Sequence, residues 1–553
     1  MAGGRRSVGL SKSCILVIVV ASVERFAYKG VVSNLVTYLT DVVKMSNSSA
    51  AKSVSNWCGV TSMLPLIGAF LADSYWDQHS TILISSFLYM AGLVALTMSA
   101  LLLAWTPISK TITYLSLFSS LYLISFAQGG YNPCLQAFGA GQLENMEGEG
   151  EGSPFSGIDD GENPNTNNNE KKKSLFFQWW YFGVCTGSLS GVTLMSYIQD
   201  TFGWGWGFAI PTIGMAMSIA CFSCGTRLFV HRNKSKVVDT PIHTTIQSVK
   251  AAARKMFTGS IITFPRRDDT NVVELELQNH KPLRDDFNEP ESLDKNSIPT
   301  ARIQPGDMKA VLRLLPIWAM LLMFAVIFQQ PSTFFTKQGM TMKRNIGKDF
   351  MIPPATLQST ITISIILLMP FYDKLIIPIF RLITRTDKGI NVLQRMGIGI
   401  FLSVISMVVA ALVESKRLEI AQKVPNITQS SQTETVPLSI FWLVPQYVLL
   451  GISDVFTVVG MQEFFYNEVP NGRRTTGIAL YLSVFGVGSF LSAILISIIE
   501  MVTELSGQKH RWFSDNLAEA RLDHYYWLLA LLCTVSLFLF VLLSKHYLSS
   551  NAL

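Results

Sequence analysis

Long apolar stretches separated by polar segments dominate the pattern of this chain. A helix that crosses a bilayer needs about 20 mostly apolar residues, and the stretches of that length predict twelve membrane-spanning helices. The predicted helices cover residues 14–40, 54–73, 80–104, 112–139, 175–198, 206–229, 308–336, 354–377, 392–413, 437–466, 475–501 and 524–547. They form two groups of six, an arrangement typical of membrane proteins with a solute site at the midplane between two halves.

Two polar segments interrupt the apolar pattern. The loop 144–173 is rich in Gly, Glu and Asn and is predicted to be disordered. The segment 230–306 is rich in charged residues and is predicted to be a cytosolic central loop, within which 245–257 reads as a basic amphipathic helix on the membrane surface. We therefore predict an N-terminal bundle over 1–229 and a C-terminal bundle over 307–553.

Composition agrees with a membrane protein. Hydrophobic residues make up 49% of the chain, charged residues only 15%, and the mean hydropathy is +0.34, which excludes an ordinary soluble enzyme. No basic stretch is interleaved with aromatic residues as a nucleic-acid groove requires, so the net charge of +6 is assigned to membrane-flanking loops. The seven cysteines lie almost all in apolar helices, and we predict no disulfide framework, metal or cofactor.

Charges and glycosylation sequons predict the orientation. Arg5, Arg6 and Lys12 precede the first helix and place the N-terminus in the cytosol by the positive-inside rule. With an even number of helices, both termini are then cytosolic. The sequons at Asn47 and Asn426 fall in loops on the opposite side, where we predict glycosylation. The expected location is the plasma membrane or the vacuolar membrane.

Three charges lie near the middle of the first apolar stretch, at Glu24, Arg25 and Lys29. A charge at the bilayer centre costs at least about 2.5–3.5 kcal/mol, so such residues face a bundle interior or a water-filled cavity. One interpretation is a buried ion-pair cluster that only holds helices together. The other, which we favour, is the polar lining of a solute pathway.

Several motifs carry a family resemblance. In the first half they are VERFAY at 23–28, PLIGAFLADSYW at 65–76, QGGYNPCLQAFGA at 128–140 and FFQWWYF at 176–182; in the second half they are LRLLPIW at 312–318, LQRMGIG at 393–399, FWLVPQ at 441–446 and QEFFY at 462–466. In this order they resemble the proton-coupled oligopeptide transporter family of the major facilitator superfamily, and most closely its plant peptide and nitrate transporter branch. The resemblance covers nearly the whole chain outside the two polar loops. It implies an all-α membrane protein with two six-helix bundles around a central site that opens alternately to each side.

The chain departs from the family pattern at three helix positions and in the loop after the second helix, where it has Asp73, Asp77 and Gln78 in place of Asp-x-x-x-Gly-Arg. Ala21 stands where the resemblance implies a Glu, Asn132 where it implies a Lys, and Cys185 where it implies an Asn. Removing one partner of a buried ion pair costs about 3–5 kcal/mol, whereas removing both can be neutral. Ala21 and Asn132 are therefore interpreted as the remains of an ion pair that faces the pathway in relatives.

The resemblance also implies which residues handle protons and solute. The predicted pathway residues are Glu24, Arg25, Tyr28, Lys29, Asn132, Gln330 and Asp454, and a structural or gating pair is predicted between Arg313 and Glu463. All seven histidines lie in loops or at helix ends, so any coupled proton must use a carboxylate. Lys29 shares a helix face with Arg25, so it either has Glu24, Asp454 or an anion as its partner or is neutral when desolvated.

These features predict alternating-access transport of nitrate or another small anionic solute, with protons as the coupled ion. We expect Arg25 and Lys29 to keep Glu24 ionised at neutral pH, so coupling should be weak. Two alternatives stay open. One is transport of di- or tripeptides, with Asp454 holding the amino terminus and Arg25 the carboxylate; the other is a membrane sensor that binds a solute without moving it.

Overall fold

The structure is a computed structural model, and nearly all of the residues that it describes are helical. The described residues are 11–74, 78–105, 110–148, 164–229, 305–347, 350–371, 391–423, 435–469, 474–505, 512–514 and 520–552. The predicted central loop and its amphipathic helix lie outside them, apart from the edges of the segment.

The first half of the chain forms seven helices. They are α1 (Lys12–Val32), α2 (Leu35–Asp41), α3 (Asn47–Ser74), α4 (Gln78–Trp105), α5 (Lys110–Gly148), α6 (Pro164–Thr201) and α7 (Trp204–Cys224), followed by a 3₁₀ turn at Gly225–Leu228. The short α2 follows α1 after a two-residue turn at Ser33 and Asn34, and within the described residues the helices of this half match the six predicted stretches.

The second half repeats this plan. Its helices are α8 (Pro305–Phe328), α9 (Phe334–Met340), α10 (Ser359–Phe371), α11 (Val392–Lys423), α12 (Val444–Asn467), α13 (Arg474–Leu505) and α14 (Leu522–Ala552), with 3₁₀ turns at Gln330–Ser332, Pro354–Gln358 and Ile440–Leu443. Short strands β1 (Met342–Lys343), β2 (Asn345–Ile346), β3 (Phe350–Met351) and β4 (Val436–Ser439) lie between helices. Strand β1 pairs in parallel with β4, and β2 pairs antiparallel with β3.

Each of the twelve predicted apolar stretches coincides with one of these helical spans. The prediction of a loop over 144–173 is wrong at both of its ends, because α5 runs to Gly148 and α6 begins at Pro164. Seven helices in the described part of the chain are long and apolar enough to cross a membrane by themselves. Helix α1 falls outside that group because three charges interrupt its apolar stretch. Charged residues in a membrane-spanning helix face other helices or a cavity, so α1 must pack against neighbouring helices.

Each half has its own hydrophobic core. Buried side chains of α1–α5 and α7, such as Trp57, Tyr89 and Phe208, form one cluster, and those of α8–α14, such as Phe324 and Tyr447, form the other. The halves therefore pack as two bundles, and the surface between them can carry polar groups.

Glycines allow the helices of the first half to approach closely. A Cβ placed on Gly68 of α3 would lie 1.9 Å from the backbone oxygen of Gly129 in α5. The contacted atom is backbone, so it cannot turn aside as a side chain can. This close approach fixes the position of α5 relative to α3, and with it the position of the residues that follow Gly129.

We expect Gly68→Ala to lower the thermal stability of the purified protein by about 1–3 kcal/mol, because the added methyl group overpacks the α3–α5 contact. Gly397→Ala in α11 is the matched control. A Cβ there meets nothing closer than 3.6 Å, so this change should be neutral or slightly stabilising. Equal melting temperatures for the two variants would contradict the packing argument.

The two halves meet at one end of the molecule through three ion pairs. Asp41 accepts from Lys337 at 3.3 Å, Asp200 accepts from Arg344 at 3.3 Å, and Glu500 accepts from Lys52 at 2.5 Å. The ring of Tyr197 also stacks on that of Phe350, with centroids 5.8 Å apart. The residues of the first half lie at the end of α2, at the end of α6 and near the start of α3, and those of the second half lie within the segment from α9 to β3 and near the end of α13. We call this end, defined by the three ion pairs, the closed end.

Candidate functional site

The charged face of α1 points to the middle of the molecule. The Tyr28 ring lies 5.7 Å from the ring of Trp57 in α3, and the Arg25 guanidinium carbon lies 5.8 Å from the centroid of the Tyr28 ring. Lys29 packs with its Cβ against Gly191 of α6. Arg25, Tyr28 and Lys29 are all partly exposed although they lie between helices. We call the region that these residues border, between α1, α3 and α6, the polar space; its role as a solute pathway stays a prediction.

Glu24 is held away from that space. Its side chain is 2% exposed, and one carboxylate oxygen accepts a 2.5 Å hydrogen bond from the Gln128 amide of α5. The other oxygen lies 3.8 Å from Nε of Arg25. The same Gln128 nitrogen also donates to the Tyr89 hydroxyl of α4 at 3.5 Å. Three helices thus fix Glu24 inside the first half, with only the guanidinium between it and the polar space.

Lys29 and Asp454 bring charges from the two halves together. The ammonium on α1 and the carboxylate on α12 attract each other at long range but form no direct ion pair among the described residues, and both side chains are partly exposed. The partner of Lys29 stays a prediction. So does the expectation that two cations act on Glu24, of which Arg25 lies 3.8 Å from the carboxylate.

Thiols flank the same ammonium. Cys58 of α3 lies near Tyr28, and Cys185 of α6 lies near Tyr181. Both are nearly buried. The departure at Cys185 thus places a small, weakly polar group beside Tyr181.

Three predicted site residues lie elsewhere. Gln330 is fully buried in the second half and donates to the carbonyl of Val326 at 3.0 Å and to the hydroxyl of Tyr525 at 3.3 Å, so the structure contradicts a pathway role. Glu463 pairs with Arg395 at 2.7 Å, which replaces the predicted partner Arg313. The proline break after Phe328 turns Gln330 into the core. Arg313 is exposed on α8.

The remaining predictions have mixed outcomes. Asn132 is half-buried on α5, and its role stays a prediction. Asn47 is 7% exposed and its amide nitrogen donates to the carbonyl of Ser514 at 3.3 Å, across the closed end. Glycosylation of Asn47 stays a prediction, and in this conformation its amide nitrogen is hydrogen-bonded. Asn426 lies outside the described residues.

Gln128 and Tyr89 are site residues that the sequence interpretation missed. Both are buried polar groups on apolar helices. Gln128 donates to the Glu24 carboxylate, and the same amide nitrogen donates to the Tyr89 hydroxyl. A lone Gln beside two glycines in the QGGYN motif is the signal that marks this position, because an amide in an apolar helix requires a partner.

Three comparisons identify what this chain is similar to. Residues 79–513 match the family model described as PTR2, POT family. "Protein NRT1/ PTR FAMILY 5.9" of Arabidopsis thaliana is 53% identical over 99% of this chain and 97% of its own length, and "Protein NRT1/ PTR FAMILY 5.10" of the same plant is 43% identical over 99% and 94%.

Solved structures support the fold. An auto-inhibited POT family peptide transporter superposes with a TM-score of 0.68 at 19% identity, covering 97% of each chain. The POT family transporter PepTSo superposes with a TM-score of 0.67 at 18% identity, covering 98% of this chain and 99% of its own. The expected family, the major facilitator fold and the absence of an enzymatic role are thereby confirmed, and the chain belongs to the POT family of multi-pass membrane transporters.

Proposed function

We propose that this protein is a proton-linked transporter of a small anionic solute, nitrate being the simplest case. The observation that carries the proposal is the pair of cations, Arg25 and Lys29, on one face of α1 in the central polar space. Like charges four residues apart on a helix repel each other. A bound anion would relieve that repulsion, so the site is suited to a negatively charged ligand.

Asp454 would connect the solute to protons. While it holds Lys29, the ammonium is shared between the acid and any anion in the space. Protonation of Asp454 would free Lys29 to bind the anion. Loss of that proton on the other side of the membrane would restore the attraction between Lys29 and Asp454. Proton and anion then favour the same state, which is the linkage that a symporter needs.

Coupling would be weak in this scheme. Glu24 is enclosed by Gln128, Tyr89 and Arg25, and the second acid of the family motif is absent at Ala21. One exchangeable carboxylate would therefore carry the proton, and flux would follow the solute gradient or the membrane potential more than pH.

The orientation completes the proposal. With both termini in the cytosol, the closed end faces away from the cytosol and the central space opens inward. The plasma membrane and the vacuolar membrane both fit this orientation.

A zwitterionic solute, such as a di- or tripeptide, is the second candidate. A half-buried acid faces the same space as two cations, which is the charge pattern of a molecule with an amine and a carboxylate. One POT family transporter of the same fold is described in complex with 5-aminolevulinic acid. Against this candidate, Lys29 already supplies an ammonium to Asp454, so a substrate amine would have to displace it.

Uptake into proteoliposomes tests the proposal. Nitrate, chloride and a dipeptide are supplied in turn, with and without an inward proton gradient, and we expect saturable anion uptake with modest stimulation by acid. Lys29→Gln should lower anion uptake about ten-fold to a hundred-fold, because a charge-assisted contact is worth about 1.5–3 kcal/mol. Lys423→Gln is the matched control, since that cation is 70% exposed at the end of α11.

The outcomes separate the three hypotheses. Dipeptide uptake without anion uptake would favour the second candidate. Saturable binding without flux of any tested solute would favour a sensor and overturn the proposed transport.

A further inference from the structure

A fully buried ion pair lies in the second half, away from the polar space lined by α1. Glu414 and Arg417 on α11 are both 0% exposed. The guanidinium donates to the two carboxylate oxygens through Nε at 2.8 Å and through Nη2 at 2.6 Å. Its remaining nitrogen, Nη1, donates to the Thr341 hydroxyl at 3.2 Å. The pair therefore reaches out of its own helix to the residue that follows α9.

Thr341 is fixed by its backbone as well. Its carbonyl oxygen accepts a 2.8 Å hydrogen bond from the backbone of Val436, next to the pairing of β1 with β4. The residue that follows α9 is thus attached to β4 through a main-chain hydrogen bond and to α11 through a side-chain hydrogen bond.

Helix α9 carries the contacts that reach the first half. Lys337 pairs with Asp41 at 3.3 Å, and the Met340 sulfur accepts from the Thr37 hydroxyl at 3.7 Å. Beside them, the Gln358 amide donates to the Ser33 carbonyl at 2.7 Å. A short chain of contacts therefore connects the buried pair, through Thr341 and α9, to the closed end.

The donor geometry explains why an arginine occupies this position. A guanidinium presents its donors in a rigid fork, so it can hold a carboxylate with two nitrogens and still aim the third. Buried ion pairs are weak evidence of stability, because the cost of desolvation offsets the attraction. The third bond, to Thr341, is the one that acts outside α11.

We propose that Arg417 is a positioning residue that holds α9 against α2 and thereby sets how often the closed end opens. The proposal rests on family membership and on alternating access, and it is independent of which solute is carried. Failure of the nitrate experiment would leave it intact.

Thiol labelling of the full-length protein in detergent tests the proposal. Thr37 is 7% exposed in the closed end, so a cysteine there reacts with a maleimide only when α9 moves away. The probe is Thr37→Cys in a background with Cys221→Ser and Cys224→Ser, which removes the two exposed thiols. Into this protein we introduce Thr341→Val, which keeps the shape but removes both the acceptor of Arg417 and the donor to the Gln338 carbonyl, or Thr341→Ser, which keeps the hydroxyl and both bonds.

We expect the labelling rate of the cysteine at position 37 to rise about ten-fold with Thr341→Val and to stay unchanged with Thr341→Ser, since a hydrogen bond to a charged group is lost only in the first. The buried Cys533 of α14 serves as a reporter of general loosening in the second half, and its labelling should not change.

Equal labelling at position 37 in the two variants would overturn the proposal. A parallel rise at Cys533 would overturn it as well, because Thr341 would then support the whole bundle and not the closed end.

Discussion

Asp454→Asn is expected to reduce proton-driven uptake about a hundred-fold without loss of folded protein. The change removes the carboxylate that attracts Lys29 from the other half, and it leaves an amide of the same shape. An ammonium without its partner in a poorly hydrated site costs about 3 kcal/mol, which corresponds to about two orders of magnitude in an equilibrium constant. Uptake with and without a proton gradient, normalised to protein eluting as a single species, is the measurement.

Glu419→Gln is the control for this variant. It makes the same chemical change at a side chain that is 63% exposed and pairs only with Lys423 along its own helix. Uptake by the control should equal that of the unmodified protein. If Asp454→Asn still shows full, acid-stimulated uptake, Asp454 has no part in coupling and the assignment is wrong.

Ala21→Glu is expected to destabilise the protein by about 3–5 kcal/mol when made alone, because it buries a carboxylate at a position that is 4% exposed. Adding Asn132→Lys should recover folded protein, since the resemblance implies that these two positions face each other as an acid and a base in relatives. The double variant would then have a second carboxylate, and its uptake should rise more steeply as the pH falls.

The melting temperature measures the recovery of folded protein, and the pH profile of uptake measures the proton coupling. Rescue of folding without a steeper pH profile would show that the restored pair is structural. Absence of rescue would show that positions 21 and 132 do not meet. Steep acid stimulation in the unmodified protein, lost with Glu24→Gln, would contradict weak coupling altogether.

The sequence predicts the helices of this protein well because the bilayer demands long apolar stretches with short connections. It fails where local chemistry ends a helix early. Helix α8 stops at Phe328, and the 3₁₀ turn around Pro331 redirects Gln330 into the core, so hydropathy alone misplaces that amide. It also fails at Asn47, whose sequon suggests exposure although the residue starts α3 at the contact between the halves.

Pairings between helices are the least predictable part of the site. Spacing along α1 shows that Lys29 needs a partner but cannot choose among residues on other helices. The pairing of Glu463 with Arg395 follows from how α11 and α12 pack against each other. The QGGYN motif marks Gln128 as an amide that needs a partner, but only the structure shows that this partner is Glu24.

The contact between α3 and α13 is built from residues matched in size. A Cβ on Gly59 would meet the Phe490 ring at 2.9 Å, and one on Gly486 would meet the Met63 side chain at 2.6 Å. Each large side chain thus occupies the notch left by a glycine of the opposite half. During evolutionary drift, neither member of such a couple can change alone without a clash or a void. Substitutions at 59 and 490, and at 63 and 486, should therefore be inherited as linked pairs, although the two members of each pair lie 423 residues or more apart in the sequence.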